Sequence, residues 1–89
     1  MDQKRVFTKE EAKLIGYMLG IDWINYDLEQ FRMGLEVEQE HGTGNPLTNV
    51  TDDDILLTGK IAVAHLNEFP DYYDRLKKME NDAHIFWNR

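Results

Sequence analysis

Apolar positions recur at helical spacing in four stretches of the chain, and each stretch is bracketed by residues that start or stop helices. Thr8 followed three positions later by Glu11 makes a capping box, in which hydroxyl and carboxylate each accept a hydrogen bond from an otherwise orphaned backbone amide. The spacing predicts a first helix over Lys9–Leu19, with Leu14, Ile15, Met18 and Leu19 as its apolar side and Gly20 in the left-handed conformation that ends it. Ile21 to Tyr26 is too apolar for a free linker and is expected to pack onto the core. Asp27 and Gln30 repeat the capping logic, so a second helix should run from Leu28 to His41, with Gly42 ending it. Leu28, Phe31 and Leu35 form its core stripe, Glu38 and His41 lie beside that stripe, and Gly34 lets a neighbouring helix approach closely.

Gly42 to Val50, with Thr43-Gly44-Asn45-Pro46, reads as a loop. Thr51 is placed to cap a third helix, with Asp52, Asp53 and Asp54 in its first turn, where the helix dipole favours negative charge. From Ile55 to Phe69 apolar residues fall on most sides (Ile55, Leu57, Ile61, Ala62, Ala64, Leu66), which predicts the central, most buried helix. Pro70 cannot continue that helix but suits the first position of another, running to about Phe86 with Tyr72, Leu76, Met79, Ala83 and Phe86 on one face. No strand-like alternation, internal repeat or low-complexity segment interrupts this. The expectation is an all-α, compact bundle of about four helices, with residues 1–89 as a single helical domain.

A core drawn from 89 residues is small, so stability should come from a few large side chains or from self-association as a homo-oligomer. The generous aromatic set, from Trp23, Tyr26 and Phe31 to Tyr72 and Tyr73, fills such a core or lines a ligand pocket, and Phe86 with Trp87 can also serve as a dimer contact. The absence of cysteine excludes disulfides, thiolate metal sites and thiol catalysis, and fits a cytoplasmic setting. Met1-Asp2-Gln3-Lys4-Arg5 leads straight into the capped helix rather than into an apolar stretch, so no secretory leader is expected. No apolar run reaches the roughly 20 residues of a membrane span, which argues against a membrane protein. A formal charge of −7, from 17 acidic against 10 basic residues, opposes direct nucleic-acid binding and favours basic proteins or cations as partners.

Candidate chemistry lies in two copies of one pattern: Glu38-Gln39-Glu40-His41 and His65-Leu66-Asn67-Glu68. A glutamate and a histidine three residues apart share a helix face, so each segment aims a carboxylate and an imidazole at one point. Glu38, His41, His65 and Glu68 together have the chemistry of a divalent metal site for zinc, iron or manganese. An antiparallel hairpin of helices two and three would hold the two pairs roughly 20 Å apart and leave Glu38 and His41 beside Asp52, Asp53 and Asp54. A shared site needs helix three nearly parallel to helix two, or a contact between subunits. The competing reading makes each Glu-His pair a structural contact that holds a helix end. The aspartate run can ligate calcium or magnesium, but it lacks the spaced oxygens and glycine of an EF-hand loop and reads as a helix start. His84, four positions after Glu80, reads as a surface pair. His41 or His65 can act as a general base, yet no Gly-x-Ser-x-Gly turn, phosphate loop or His-Glu-x-x-His motif accompanies them, so no catalytic residue is assigned.

Several longer segments carry a family likeness: Phe31-Arg32-Met33-Gly34-Leu35-Glu36-Val37-Glu38, Glu40-His41-Gly42, Thr48-Asn49-Val50-Thr51-Asp52-Asp53-Asp54, Thr58-Gly59-Lys60-Ile61-Ala62, and His65-Leu66-Asn67-Glu68-Phe69-Pro70-Asp71-Tyr72-Tyr73. Together they resemble a family of small uncharacterised proteins of bacteria and their phages, a domain of unknown function, over Thr8 to about Glu80. The resemblance implies a free-standing helical module of prokaryotic or phage origin, and it implies no activity. Two functional readings follow. One is a small acidic binding module holding a divalent metal; the other is a bacterial or phage accessory module for protein interaction, whose Glu-His contacts only brace the fold.

Overall fold

The computed structural model describes residues 5–88, which form four α-helices: α1 (Lys9–Leu19), α2 (Leu28–Glu38), α3 (Ile55–Glu68) and α4 (Tyr72–Trp87). The stretch Met1 to Lys4, part of the segment read above for a leader, lies outside the described residues. Among the described residues there is no strand, and no helix is long and apolar enough to cross a membrane. The capping box at Thr8 is complete, with the Glu11 amide donating to Thr8 Oγ1 at 3.1 Å and the Thr8 amide to Glu11 Oε1 at 2.9 Å. Gly20 ends α1 at φ 75°, ψ 26°. At α2 only half of the predicted box forms: Asp27 accepts the Gln30 amide at 2.9 Å, while the Gln30 side chain accepts the Tyr73 amide of α4 at 3.0 Å. The last turn, Gln39–His41, tightens into a 3₁₀ turn.

The start of α3 differs from the sequence expectation. Asp54, not Thr51, is the cap, its Oδ1 accepting the Leu56 and Leu57 amides at 2.9 and 3.0 Å. Thr51, Asp52, Asp53 and Asp54 form a tight turn instead, closed by the Asp54 amide on the Thr51 carbonyl, with Asp52 and Asp53 both at positive φ (54° and 63°). Aspartate tolerates this region better than most residues because its side chain bonds locally. Asn49 takes Asp52, and the amide and hydroxyl of Thr43 take Asp53. Pro70 likewise precedes α4 by two residues, in a turn closed by the Tyr72 amide on the Phe69 carbonyl.

The core gathers Phe7, Ala12, Ile15, Phe31, Leu35, Ala62, Leu66 and Tyr73. Ile21, Trp23 and Tyr26 of the connector pack against it, as their apolar run predicts, whereas Ile24 points out. The most buried helix is α2 rather than α3. Gln30, Phe31, Gly34, Leu35 and Glu38 are buried in α2, while Leu56, Leu57 and Ala64 of α3 are exposed. Small residues explain the difference: α3 turns Gly59 and Ala62 inward, where close approach excludes its larger side chains. A Cβ on Gly34 would lie 2.9 Å from Ala62 Cβ, and one on Gly59 would lie 2.6 Å from Leu19 Cδ1 and 3.4 Å from Phe31 Cζ.

Contacts between the two helices ascend together: Phe31 meets Gly59, Gly34 meets Ala62 and Glu38 meets His65. An antiparallel hairpin would reverse that order. On α1 the buried side is Ala12, Ile15 and Gly16, leaving Leu14 and Met18 exposed. On α4 the predicted face packs on the core only at Tyr72 and Leu76, with Tyr73, outside that face, fully in the core, and Met79, Ala83 and Phe86 are exposed. Phe7, absent from the sequence-based core, is locked by Arg32, which reaches the Phe7 carbonyl at 3.2 Å and pairs with Glu29 and Glu36 at 2.6 and 2.7 Å. Both carboxylates and burial act on Arg32, with the Glu29 hydrogen bond foremost, and the net effect raises its pKa and keeps it charged.

Candidate functional site

Glu38 closes α2 with its side chain turned inward, and it is 3 % exposed. A buried carboxylate needs partners, and three aromatic or imidazole side chains from different elements supply them. Tyr73, in the first turn of α4, donates its hydroxyl to Glu38 Oε2 at 2.7 Å. His65 of α3 brings Nε2 to 3.6 Å from the same oxygen. His41 brings Nε2 to 3.4 Å from Oε1, and to 3.7 Å from Glu40. The two Glu-His segments therefore converge, with both imidazoles addressing opposite oxygens of one carboxylate.

Each ring is positioned by its neighbours. His65 stacks on Tyr72, centroids 4.3 Å apart and planes 12° apart, and meets the Tyr73 ring edge-on at 6.4 Å. The His41 carbonyl accepts the Val50 and Thr51 amides at 2.6 and 3.1 Å, which folds the Gly42 to Asp54 loop back against the site. His65 Nδ1 is buried with no hydrogen-bond partner, and Glu68 Oε1 stands 3.5 Å from it. Because Nδ1 and Nε2 lie on opposite edges of the imidazole, Glu68 addresses the far side of His65 from Glu38. The four candidate residues thus separate into an inner set, Glu38, His41 and His65, and an outer carboxylate, Glu68.

Burial, then the hydrogen bond to Glu38 and its negative charge, drive the Tyr73 pKa far above the ordinary tyrosine value, so this hydroxyl is a fixed donor. Tyr72 is also raised, by burial first and then by the charges of Glu38 and Glu68. Among the described residues, no group of three or more histidine, aspartate or glutamate side chains is placed to hold a metal ion. The aspartates after Thr51 are engaged in the loop turn and the α3 cap. His84 faces Asn88 rather than Glu80. The wide cleft of about 560 Å³ beside Phe7, Gln39, Thr43 and Ile55 holds none of the four candidate residues. The sequence places Tyr72 and Tyr73 in an aromatic set that fills the core or lines a pocket with a tyrosine hydroxyl as its polar handle, without linking either to Glu38. Their place in the first turn after Pro70, four and five residues past Glu68, is the available signal.

Fold and site together define an all-α module built around a half-buried Glu-His-His-Tyr cluster. The chain belongs to the family described as protein of unknown function (DUF5661), whose model matches residues 12–82 and so includes every residue of the cluster. No curated protein and no solved structure matches the chain.

Proposed function

We propose that this protein is a small helical module that takes up a divalent transition metal, zinc, iron or manganese, on Glu38, His41 and His65. The observation that carries this reading is the placement of two imidazole Nε2 atoms at 3.4 and 3.6 Å from the two oxygens of one buried carboxylate. Those separations exceed a charge-assisted hydrogen bond, about 2.7–2.9 Å. Each is close to the roughly 3.4 Å between neighbouring donors about a tetrahedral ion with bonds near 2.1 Å, and because they run to different oxygens, one ion between the rings would engage both oxygens of Glu38. Neutral imidazole and carboxylate are the donor types such ions take. Glu68 Oε1, 3.5 Å from the unpartnered Nδ1 across the ring, would need to close in to accept its hydrogen bond and leave Nε2 free to ligate, the carboxylate-histidine arrangement of metal sites.

The test is metal analysis of protein purified without a histidine tag, with thermal unfolding in added zinc, manganese or iron(II). An ion bound to the folded state must raise the unfolding temperature, and Glu38→Gln or His65→Ala should abolish the shift. No bound metal and no shift with any of the three would overturn the proposal.

A second reading has its own support, because Tyr73 already satisfies Glu38 and no group of three or more histidine or carboxylate side chains among the described residues is placed to hold a metal ion. Here the cluster braces the junction of α2, α3 and α4, and the chain is an acidic bacterial or phage accessory module for protein interaction. Metal-independent stability, lowered equally by Glu38→Gln with and without added ions, would favour it.

A further inference from the structure

Among the described residues, Tyr73 is the group that reaches the Glu38 carboxylate at hydrogen-bond length. Its hydroxyl donates to Oε2 at 2.7 Å, while the imidazole Nε2 atoms of His41 and His65 stand 3.4 Å from Oε1 and 3.6 Å from Oε2. A free glutamate side chain turns about several bonds, and ordering it costs conformational entropy whenever it binds. Here folding has already ordered it. Each oxygen of an ionised carboxylate offers two lone pairs, so Oε2 can accept the Tyr73 proton and still present an acceptor toward His65. The donor orients the carboxylate without using it up.

The phenol is itself held by α2. Gly34 leaves a notch that the ring fills, since a Cβ there would lie 2.6 Å from Tyr73 Cε2 and 2.9 Å from Cζ. The Gln30 side chain accepts the Tyr73 amide at 3.0 Å. Gly34 and Gln30 lie one and two turns before Glu38, on the same face of the helix. One face of α2 therefore presents the carboxylate and also seats the group that aims it. Tyr73 is 1 % exposed, so its hydroxyl does not trade Glu38 for water. We infer that Tyr73, on the metal reading given above, is a positioning residue: its hydroxyl holds the Glu38 carboxylate toward both imidazoles, so that a divalent ion entering between the rings does not have to order it. Partners that orient a metal ligand from behind typically contribute about 10–100-fold in affinity.

The experiment measures zinc dissociation constants by competition with a chromophoric chelator, on untagged chain and at a temperature where circular dichroism shows every variant folded. Tyr73→Phe, which removes only the hydroxyl, should bind zinc about 10–100-fold more weakly than the native chain. Thr8→Ala loses the α1 cap and touches none of the cluster; it should unfold at a lower temperature yet bind zinc as the native chain does. Gln30→Ala keeps the hydroxyl but frees the turn that carries it, so it should weaken binding in the same direction, and it reads the same point if Tyr73→Phe does not fold. Zinc held as tightly or more tightly by Tyr73→Phe would overturn the positioning role and leave the metal reading standing. Equal weakening in Thr8→Ala would trace the effect to global stability and overturn the role as well. No zinc uptake by the native chain would overturn the metal reading, and the role of Tyr73 with it.

Discussion

Gly34→Ala tests the packing that brings the site together. The added methyl would lie 2.6 and 2.9 Å from Tyr73 Cε2 and Cζ and 2.9 Å from Ala62 Cβ, well inside the separations that carbon atoms tolerate. Neither neighbour can swing away cheaply. Tyr73 is 1 % exposed, its hydroxyl is held by Glu38 and its amide by Gln30, and Ala62 is a fully buried part of α3. Relief therefore requires α2 to part from both α3 and α4 by several tenths of an ångström. Alanine favours an interior helical position over glycine by about 1 kcal/mol. Overpacking a tight core costs about 1–3 kcal/mol, and more where the neighbours are fixed. With a rigid three-way contact the upper end applies, so the net loss should be about 1–2 kcal/mol. For a chain of this size that lowers the unfolding temperature by roughly 5–15 °C, measurable by circular dichroism, with urea titration giving the free energy directly. The near-ultraviolet signal of Tyr73 should change as well. An unchanged or raised unfolding temperature would mean that the propensity gain is unopposed, and that α3 and α4 do not meet at Gly34.

Tyr73→Phe removes the donor from a buried carboxylate and should cost about 1–3 kcal/mol in urea unfolding; a loss below about 0.5 kcal/mol would show that Glu38 is satisfied without it. Asp54→Ala should destabilise by about 1 kcal/mol through loss of the α3 cap, and if it is neutral in thermal unfolding the cap lies elsewhere. The Thr43 hydroxyl, followed by its amide, holds the Asp53 carboxyl below the ordinary aspartate pKa. A folded pKa depressed below the unfolded one stabilises the fold above the unfolded value and loses that contribution as pH falls through the folded value. Thr43→Val should accordingly move the Asp53 titration, followed by carboxyl carbon NMR, up toward the ordinary value, and an unmoved midpoint would refute the assignment. Gly42→Ala, whose Cβ would overlap the Asp53 carboxylate, should open the same loop and disturb the same resonance.

The helices were legible along the chain, since caps, stops and apolar period act within a few residues of one another. Thr8 with Glu11, Gly20 and Asp27 are where local chemistry put them. The chain also determined that Glu38 with His41, and His65 with Glu68, would each share one side of a helix turn. Local pattern misplaced what depends on a neighbour. The α3 cap moved from Thr51 to Asp54 because Thr43 and Asn49 draw Asp53 and Asp52 into a left-handed turn. Burial passed from α3 to α2 because Gly34 and Ala62 set how closely the two helices approach, which apolar content alone cannot state.

Whether the two Glu-His segments meet was undecided in the chain, which allowed either order of contact between α2 and α3. Tertiary structure made that choice: the ascending contacts carry His65 to Glu38, the position of α4 delivers the Tyr73 hydroxyl to the same carboxylate, and the ring geometry of His65 sets Glu68 outside. A helix is fixed by bonds between residues four apart, but a site made from three helices is fixed by the side chains between them, and those are specified only once the helices have packed.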